Sequence, residues 1–267
     1  MTKLDPKVID EFFKTFENPY NRFLEYFLEI QIPILESTLA VGKSVYRARH
    51  SDPKIKFSQY SDFLYPPSTS TFSRIAKPGD ILFYASDNYE ACLAEMLPYW
   101  LSDYELGSKI RVSFGVWQIR EPVNVLIIPD LEFKNDLAKA MRDRMAYSQE
   151  DLEFWKIISP YFFETTAASP KIYQLTSAFI QSIILRNNIE NNSVDGIVYP
   201  SIQHREKSNL ALFPKVIDEG RMIFQYPVDA IFQKSLEVDT KGLPSYVGPF
   251  ESSRGIHELS TNKIVWV

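Results

Sequence analysis

The sequence predicts an α+β protein, and three observations carry that prediction. Segments that alternate apolar and polar residues, as half-buried strands do, are separated by irregular helical segments without a repeating β-α-β rhythm. Neither GxGxxG nor GxxxxGK[ST] occurs in the chain, which argues against a dinucleotide-binding or P-loop fold. The 267 residues, 45% of them hydrophobic, are enough for a large core without metals or disulfides.

Residues 5–42 are predicted to be helical, because apolar side chains recur there at helical spacing. Pro19 and Pro33 interrupt the pattern, since the residue before a proline disfavours the α conformation. This segment either packs on the core as a helical cap or serves as a partner-binding arm. The sequence changes character after it, which divides the chain into an N-terminal helical region, residues 1–43, and a second domain, residues 44–267.

The second domain alternates between predicted strands and helices. Strands are predicted at 44–50, 80–85, 109–119, 123–128, 196–199 and 209–213, with further candidates at 222–226 and 263–267. Residues 51–79 form a long loop, of a length more typical of lids and binding loops than of plain connectors. A helix is predicted over residues 88–97 with Asp87 as its N-cap. Residues 131–190 are predicted as a mainly helical insertion, interrupted near Ser159-Pro160 and Ser169-Pro170.

Composition and charge exclude several classes of protein. The net charge of −5 and the ordinary hydrophobic content exclude a disordered chain and argue against nucleic-acid binding through bulk positive charge, although a local basic patch stays open. One cysteine and three scattered histidines argue against a disulfide framework and a metal site. The N-terminus is too acidic for a signal peptide, and no apolar run reaches the roughly 18 residues of a membrane span. We therefore expect a cytoplasmic protein without a membrane partner.

Two charged residues stand out as candidates for chemistry. Glu95 lies on an apolar helix beside small residues, so its carboxylate is either paired with an arginine inside the fold or faces a cleft. Arg74 follows the long loop and is either a solvated surface residue or a guanidinium that clamps phosphate or carboxylate.

Four further residues have both a structural and a functional interpretation. Arg47 and Arg49 share one strand face, which suits an anionic ligand or an ordinary solvent-facing edge. Tyr84 alone is most simply a core residue, and Ser201 is a turn serine or a ligand-binding hydroxyl. A Ser201 nucleophile is disfavoured because the chain has no GxSxG elbow. Cys92 is expected to be inert on its apolar helix.

The ordered set of motifs resembles the RES domain family over residues 44–218. The motifs are, in order, Tyr46-Arg-Ala-Arg49, Arg74, Phe83-Tyr-Ala-Ser86, Ala91 to Glu95, Asp195-Gly-Ile-Val-Tyr-Pro-Ser201 and Asn209-Leu-Ala-Leu-Phe213. Family members often carry Gly-Gly-Arg-Trp-Asn around the first arginine. This chain has Phe72-Ser-Arg-Ile-Ala76 instead, which departs from the family at the phosphate loop.

The resemblance implies a fold similar to ADP-ribosyltransferase toxins, with antiparallel sheets around a cleft. It implies cleavage of the nicotinamide–ribose bond of NAD, by hydrolysis or by phosphorolysis with inorganic phosphate as co-substrate, and no further cofactor. It also implies a bacterial toxin paired with an Xre-type antitoxin, which would supply any DNA binding. The alternatives are an ADP-ribosyltransferase that modifies a protein and a non-catalytic module that binds NAD.

The resemblance also assigns a role to each candidate residue. Arg74 and Arg47 would hold the pyrophosphate or phosphate, with Arg49 as a further substrate-binding residue. Tyr84 would stack against the nicotinamide or its ribose, and Glu95 would orient the ribose or stabilise the developing cation. Ser201 would bind near the nicotinamide end or the incoming phosphate, and Asn209 would be a weaker supporting contact.

Overall fold

The computed structural model describes residues 3–103, 105–131, 148–164, 170–189, 194–203, 207–238 and 244–267. Its helices are α1 (Pro6–Thr15), α2 (Tyr20–Glu29), α3 (Tyr89–Asp103), α4 (Gln149–Phe163), α5 (Pro170–Ile189) and α6 (Lys215–Asp218), with a 3-10 turn at Tyr60–Phe63. Among the helices in these ranges, none combines the length and the apolar character that crossing a bilayer requires.

Ten strands complete the fold. They are β1 (Glu36–Leu39), β2 (Ser44–Ser51), β3 (Phe83–Ser86), β4 (Lys109–Ile119), β5 (Val123–Ile127), β6 (Gly196–Pro200), β7 (Ser208–Leu212), β8 (Met222–Val238), β9 (Pro244–Glu258) and β10 (Lys263–Trp266). They form one sheet in the order β1-β5-β6-β7-β3-β2-β4-β8-β9-β10, in which β5 and β6 pair in parallel and all other neighbours pair antiparallel. The predicted α+β class is confirmed.

The sheet divides into two halves at the junction of β2 and β3. These strands share a single register pair, Tyr46 opposite Ser86, whereas β2 pairs with β4 along its whole length. The pairing is therefore shortest at this junction, where a cleft lies between the two halves. This arrangement is compatible with the ADP-ribosyltransferase-like fold that the sequence implies.

The helical segment between β5 and β6 is the crossover of the sheet's parallel pair. Parallel neighbours cannot be joined by a hairpin and need a connection of about a dozen residues or more, usually helical. Helices α4 and α5 belong to this connection, and their buried side chains include Trp155, Ile158, Leu175 and Phe179. These two helices are therefore part of the main core rather than a surface attachment.

The two N-terminal helices pack against the crossover helix α5. Phe23 and Phe27 of α2 are fully buried, and the Phe27 ring meets the Phe179 ring edge to face at 5.3 Å. Arg186 of α5 donates to the carbonyls of Phe27 and Ile30 at 2.5 and 2.7 Å. A cation at the carbonyl end of a helix satisfies unpaired acceptors and opposes the helix dipole, so α5 fixes the end of α2.

Several local predictions were wrong. Residues 36–39, expected within a helical region, form β1, because pairing with β5 overrides the local pattern. Helix α4 continues through Pro160, because the apolar face of the helix is buried in the core. Helix α3 runs past Pro98 to Asp103. The α3 cap is Asn88, whose Oδ1 accepts from the amides of Glu90 and Ala91. Of the expected break at Ser169-Pro170, Ser169 lies outside the described residues.

The C-terminal strands are much longer than the sequence indicates. Strand β8 covers 17 residues and pairs with both β4 and β9, and β9 itself was not predicted. Gly248, Pro249 and Gly255 lie inside β9, although glycine and proline are residue types typical of turns. The register of β8 and β9 shifts between Ile231 and Gln233, which is how the sheet accommodates the irregular stretch.

Asp195 anchors the start of β6. It is fully buried, and its two oxygens accept from Arg221 at 2.8 and 2.7 Å, while Oδ2 also accepts from the Asn124 amide at 2.8 Å. Burial alone would raise the pKa of Asp195, but hydrogen bonds from Arg221, Asn124 and Lys215 outweigh it and lower the pKa. Gly196 follows because a Cβ there would lie 2.6 Å from the Ala211 carbonyl oxygen.

Asp195→Asn should lower the free energy of unfolding by about 2–4 kcal/mol, because it leaves the Arg221 guanidinium with a neutral partner. Since the folded carboxyl has the lowered pKa, its stabilisation is complete above the unfolded aspartate value of about 3.9 and is lost as the pH falls through the lower folded value. Urea unfolding between pH 7 and pH 3 should therefore show a smaller loss of stability for the variant than for the wild type. Glu219→Gln, beside the same arginine but exposed, is the control. Equal pH dependence in all three proteins would contradict the assignment.

Candidate active site

A cavity of about 580 Å³ opens where β2 and β3 separate. Its size lies within the range of small-molecule sites. Strands β2, β3, β6 and β7, helices α3 and α5, and the loop before β3 all contribute to its walls. The lining residues are Arg47, Ala48, His50, Pro66, Pro67, Thr69, Ser73, Arg74, Ile75, Tyr84, Ala85, Ser86, Cys92, Glu95, Met96, Tyr173, Tyr199 and Asn209.

The carboxylate of Glu95 is held at one oxygen by two neutral donors. Its Oε1 accepts from the Ser201 hydroxyl at 2.5 Å and from the Asn209 amide nitrogen at 2.9 Å. Asn209 is oriented in turn by Ser86, whose hydroxyl donates to its Oδ1 at 2.5 Å. Ser86 and Asn209 are register partners in β3 and β7, so the sheet itself sets this chain of hydrogen bonds.

The second Glu95 oxygen, Oε2, has no partner among the residues that the structure describes. Among the residues the structure describes, no cation pairs with this carboxylate and Oε2 accepts no hydrogen bond. The first interpretation of Glu95, a salt bridge to an arginine inside the fold, is therefore wrong for the described residues. A charged oxygen fixed in a cavity by neutral donors can stabilise a positive charge that develops beside it.

Arg47 closes the gap between the two half-sheets. It is buried, and its guanidinium donates to the carbonyls of Leu64 and Tyr84 at 2.9 and 3.1 Å. Burial, and then the nearby Arg49, lower the pKa of Arg47 to about 10, so the group stays cationic at neutral pH. No carboxylate within the described ranges pairs with it.

Arg74 is presented by a tight turn. Within this turn the Ser73 amide donates to the Ala76 carbonyl at 2.8 Å, and the Ala76 amide donates to the Ser73 hydroxyl at 3.0 Å. The Nε of Arg74 is buried without a hydrogen-bond partner, and Cζ lies 5.8 Å from the centre of the Tyr173 ring. Two guanidinium groups, Arg47 and Arg74, thus line one cavity without a carboxylate counter-ion in the described part of the chain, which favours an anionic ligand.

Tyr84 joins the turn to the sheet. Its hydroxyl lies 3.0 Å from the Ser73 hydroxyl, and the two share a hydrogen bond. Burial raises the pKa of Tyr84, so the phenol stays protonated. The ring lines the cavity while its hydroxyl supports the turn that carries Arg74.

The cavity collects most, but not all, of the predicted residues. Arg47, Arg74, Tyr84, Glu95 and Asn209 line it, and Ser201 reaches it through its bond to Glu95.

Arg49 points elsewhere: its guanidinium stacks at 4.8 Å on the Phe57 ring and donates to the Asp62 carbonyl at 2.7 Å. Sequence analysis missed Ser73, Ser86, Tyr173 and Tyr199. Ser86 and Tyr199 both stand within motifs of the family resemblance, and Ser86 also lies two residues from Tyr84 on one strand, but neither was singled out as a site residue.

Cys92 lines the cavity but is not a nucleophile. Its thiol donates to the Tyr46 carbonyl at 3.3 Å, and burial raises its pKa to about 12. A thiol in this state carries almost no thiolate at neutral pH, as the sequence analysis expected of a buried cysteine. His204, three residues after Ser201 in the sequence, lies outside the described residues.

A second cavity of about 410 Å³ adjoins a different face of α3. Its walls are mostly aromatic and aliphatic, and Glu90 is the one charged residue among those that line it. It lacks the convergent polar groups of the first cavity. In the described ranges, no three His, Cys, Asp or Glu side chains are grouped to hold a metal ion.

The comparison with protein families agrees with this geometry. The model of the RES domain matches residues 44–230, a stretch that includes all seven predicted site residues. The chain belongs to the RES domain family. A comparison with curated proteins finds no match. Membership of the RES family is consistent with a protein that acts on NAD in the manner of a toxin.

Tyr84→Phe should weaken the binding of inorganic pyrophosphate about three- to tenfold, because it removes the hydrogen bond that supports the Arg74 turn while keeping the ring. Isothermal titration calorimetry measures the change. Tyr65→Phe is the matched control, since it removes a tyrosine hydrogen bond to Asp218 outside the cavity. Equal affinities of Tyr84→Phe and wild type would show that the turn does not need this bond.

Proposed function

We propose that this RES domain protein cleaves NAD at the bond between nicotinamide and ribose. The observation that carries the proposal is one cavity that holds a carboxylate fixed by neutral donors together with two guanidinium groups free of carboxylate partners in the described residues. NAD has a pyrophosphate for the guanidinium groups and a glycosidic carbon at which positive charge develops.

The carboxylate of Glu95 is the group that promotes bond cleavage. The pyridinium nitrogen of NAD already carries positive charge, so nicotinamide leaves with the bonding electron pair as a neutral molecule and needs no general acid. The ribose carbon becomes positively charged as the bond breaks. An anionic Oε2 beside that carbon, held in place by Ser201 and Asn209, stabilises the transition state more than the ground state.

The guanidinium groups of Arg47 and Arg74 bind and orient the substrate. Pyrophosphate accepts two parallel hydrogen bonds from a guanidinium, which fixes its position as well as its affinity. Anchoring the pyrophosphate places the ribose carbon near Glu95. The ring of Tyr84 offers a stacking surface to the nicotinamide or its ribose.

The acceptor completes the reaction. Water attacking the ribose carbon forms a C–O bond, loses a proton and gives ADP-ribose; inorganic phosphate forms the corresponding 1″-phosphate. Both products arise from the same first step, so both belong to the proposal. The wider setting is also proposed: a cytoplasmic bacterial toxin that depletes NAD, restrained by an Xre-type antitoxin.

The first test is to incubate the purified protein with NAD, with and without phosphate, and to measure nicotinamide by chromatography. Nicotinamide release that phosphate stimulates indicates phosphorolysis, and release without phosphate indicates hydrolysis. Transfer of label from radioactive NAD to a protein would instead support the transferase alternative. Tight NAD binding with no turnover in any of these assays would support a non-catalytic module and would overturn the proposal.

Glu95→Gln should lower kcat for nicotinamide release at least a hundredfold while changing the Kd for NAD less than threefold. The amide keeps the size of the side chain but removes the charge that stabilises the transition state. Glu90→Gln, on the same helix but outside this cavity, is the control and should retain wild-type activity. A Glu95→Gln protein with wild-type kcat would remove Glu95 from the mechanism.

A further inference from the structure

The crossover helix α5 supplies a wall of the candidate active site. Tyr173 lies in its first turn and lines the cavity, although it stands 78 positions after Glu95 in the sequence. No motif of the sequence analysis included this residue. The guanidinium of Arg74 lies over its ring, with 5.8 Å between Cζ and the ring centre.

The surroundings of Arg74 leave it dependent on that ring. Its Nε is buried without a hydrogen-bond partner, and no carboxylate within the described residues forms an ion pair with it. The turn of residues 73–76 fixes the backbone of Arg74 but not its long side chain. A guanidinium at this distance from a ring is attracted by the ring's π face, which limits the orientations of its planar fork.

The N-terminal helices hold both partners of this contact. Gln174, the neighbour of Tyr173, accepts a hydrogen bond from the Tyr20 amide at 3.1 Å. The Tyr20 ring packs at 5.0 Å against Phe72, which lies two residues before Arg74. The start of α2 therefore contacts α5 on one side and the Arg74 loop on the other, so the distance from Tyr173 to Arg74 is set by the fold.

We propose that Tyr173 is a positioning residue that holds the Arg74 guanidinium in place for a pyrophosphate group. This inference rests on the proposed function, and it adds a role for the helical segment between β5 and β6. The ring acts through Arg74, so its effect falls on the binding of the pyrophosphate and not on the cleavage of the glycosidic bond. Only the ring is required, since the interaction uses its π face and not its hydroxyl.

The test compares Tyr173→Phe with Tyr173→Leu. Tyr173→Phe keeps the ring and should bind inorganic pyrophosphate within twofold of wild type, whereas Tyr173→Leu should bind it about five- to thirtyfold more weakly, the range expected for a partly desolvated cation–π contact. For nicotinamide release from NAD, Tyr173→Leu should raise KM by a similar factor and leave kcat within threefold. Tyr161→Leu, which removes a tyrosine ring packed on Phe13, controls for a general loosening of this helical layer.

A double-mutant cycle separates positioning from simple packing. If Tyr173 acts through Arg74, Tyr173→Leu should have little further effect on pyrophosphate affinity once Arg74 is alanine. Additive losses would overturn the inference, and so would a Tyr173→Leu protein with wild-type affinity. Thermal unfolding of each variant identifies any that fails to fold, in which case Tyr173→Met, which keeps an apolar side chain without a ring, replaces it.

The two proposals fail in different ways. A wild-type protein that binds pyrophosphate but neither cleaves nor binds NAD would overturn the proposed function, while the pyrophosphate titrations would still decide the role of Tyr173. A wild-type protein that cleaves NAD with no effect of Tyr173→Leu on KM or on pyrophosphate affinity would overturn only the inference. Absence of both pyrophosphate and NAD binding would overturn both.

Discussion

The site depends on the hydrogen bonds that the guanidinium of Arg47 makes at the junction of the half-sheets. Strands β2 and β3 share one register pair, and the side chain of Arg47 on β2 adds a hydrogen bond to the Tyr84 carbonyl of β3. It also donates to the Leu64 carbonyl in the loop after the 3-10 turn. The halves therefore stay joined although their backbones separate. The same group places a positive charge in the wall of the cavity, so the contact that joins the two halves also supplies a group suited to binding an anion.

The helices beside the cleft follow from the topology of the sheet. Because β5 and β6 are parallel, the chain must leave the sheet and return between them, and α4 and α5 lie on that route. The N-terminal helices cover α5 and make contact with the Arg74 loop through Tyr20. What looks like added mass in the sequence is thus a layer that connects the core to the anionic end of the proposed substrate.

The sequence indicated the site better than the fold around it. Glu95, Ser201 and Asn209 belong to motifs whose order along the chain is characteristic, and the structure brings them within hydrogen-bond distance. The alternation of side chains along a strand predicted that Arg49 and Arg47 lie on the same face of β2. The cavity covers only part of that face, so Arg47 lines it and Arg49 does not. Tyr173 has no local signal, because its segment is apolar and helical like any core helix. Strand β9 was missed because its glycines and prolines are typical of turns, and only its pairing with β8 makes this segment a strand.

The single cysteine of the chain lines the cavity in a form that resists oxidation. Sulfenic acid formation and alkylation both begin from the thiolate, and the Cys92 thiol, with a pKa of about 12, supplies almost none at neutral pH. The candidate site therefore contains no redox-sensitive side chain of this kind. Thiol-directed reagents at neutral pH should therefore leave the wall of the cavity at Cys92 unmodified.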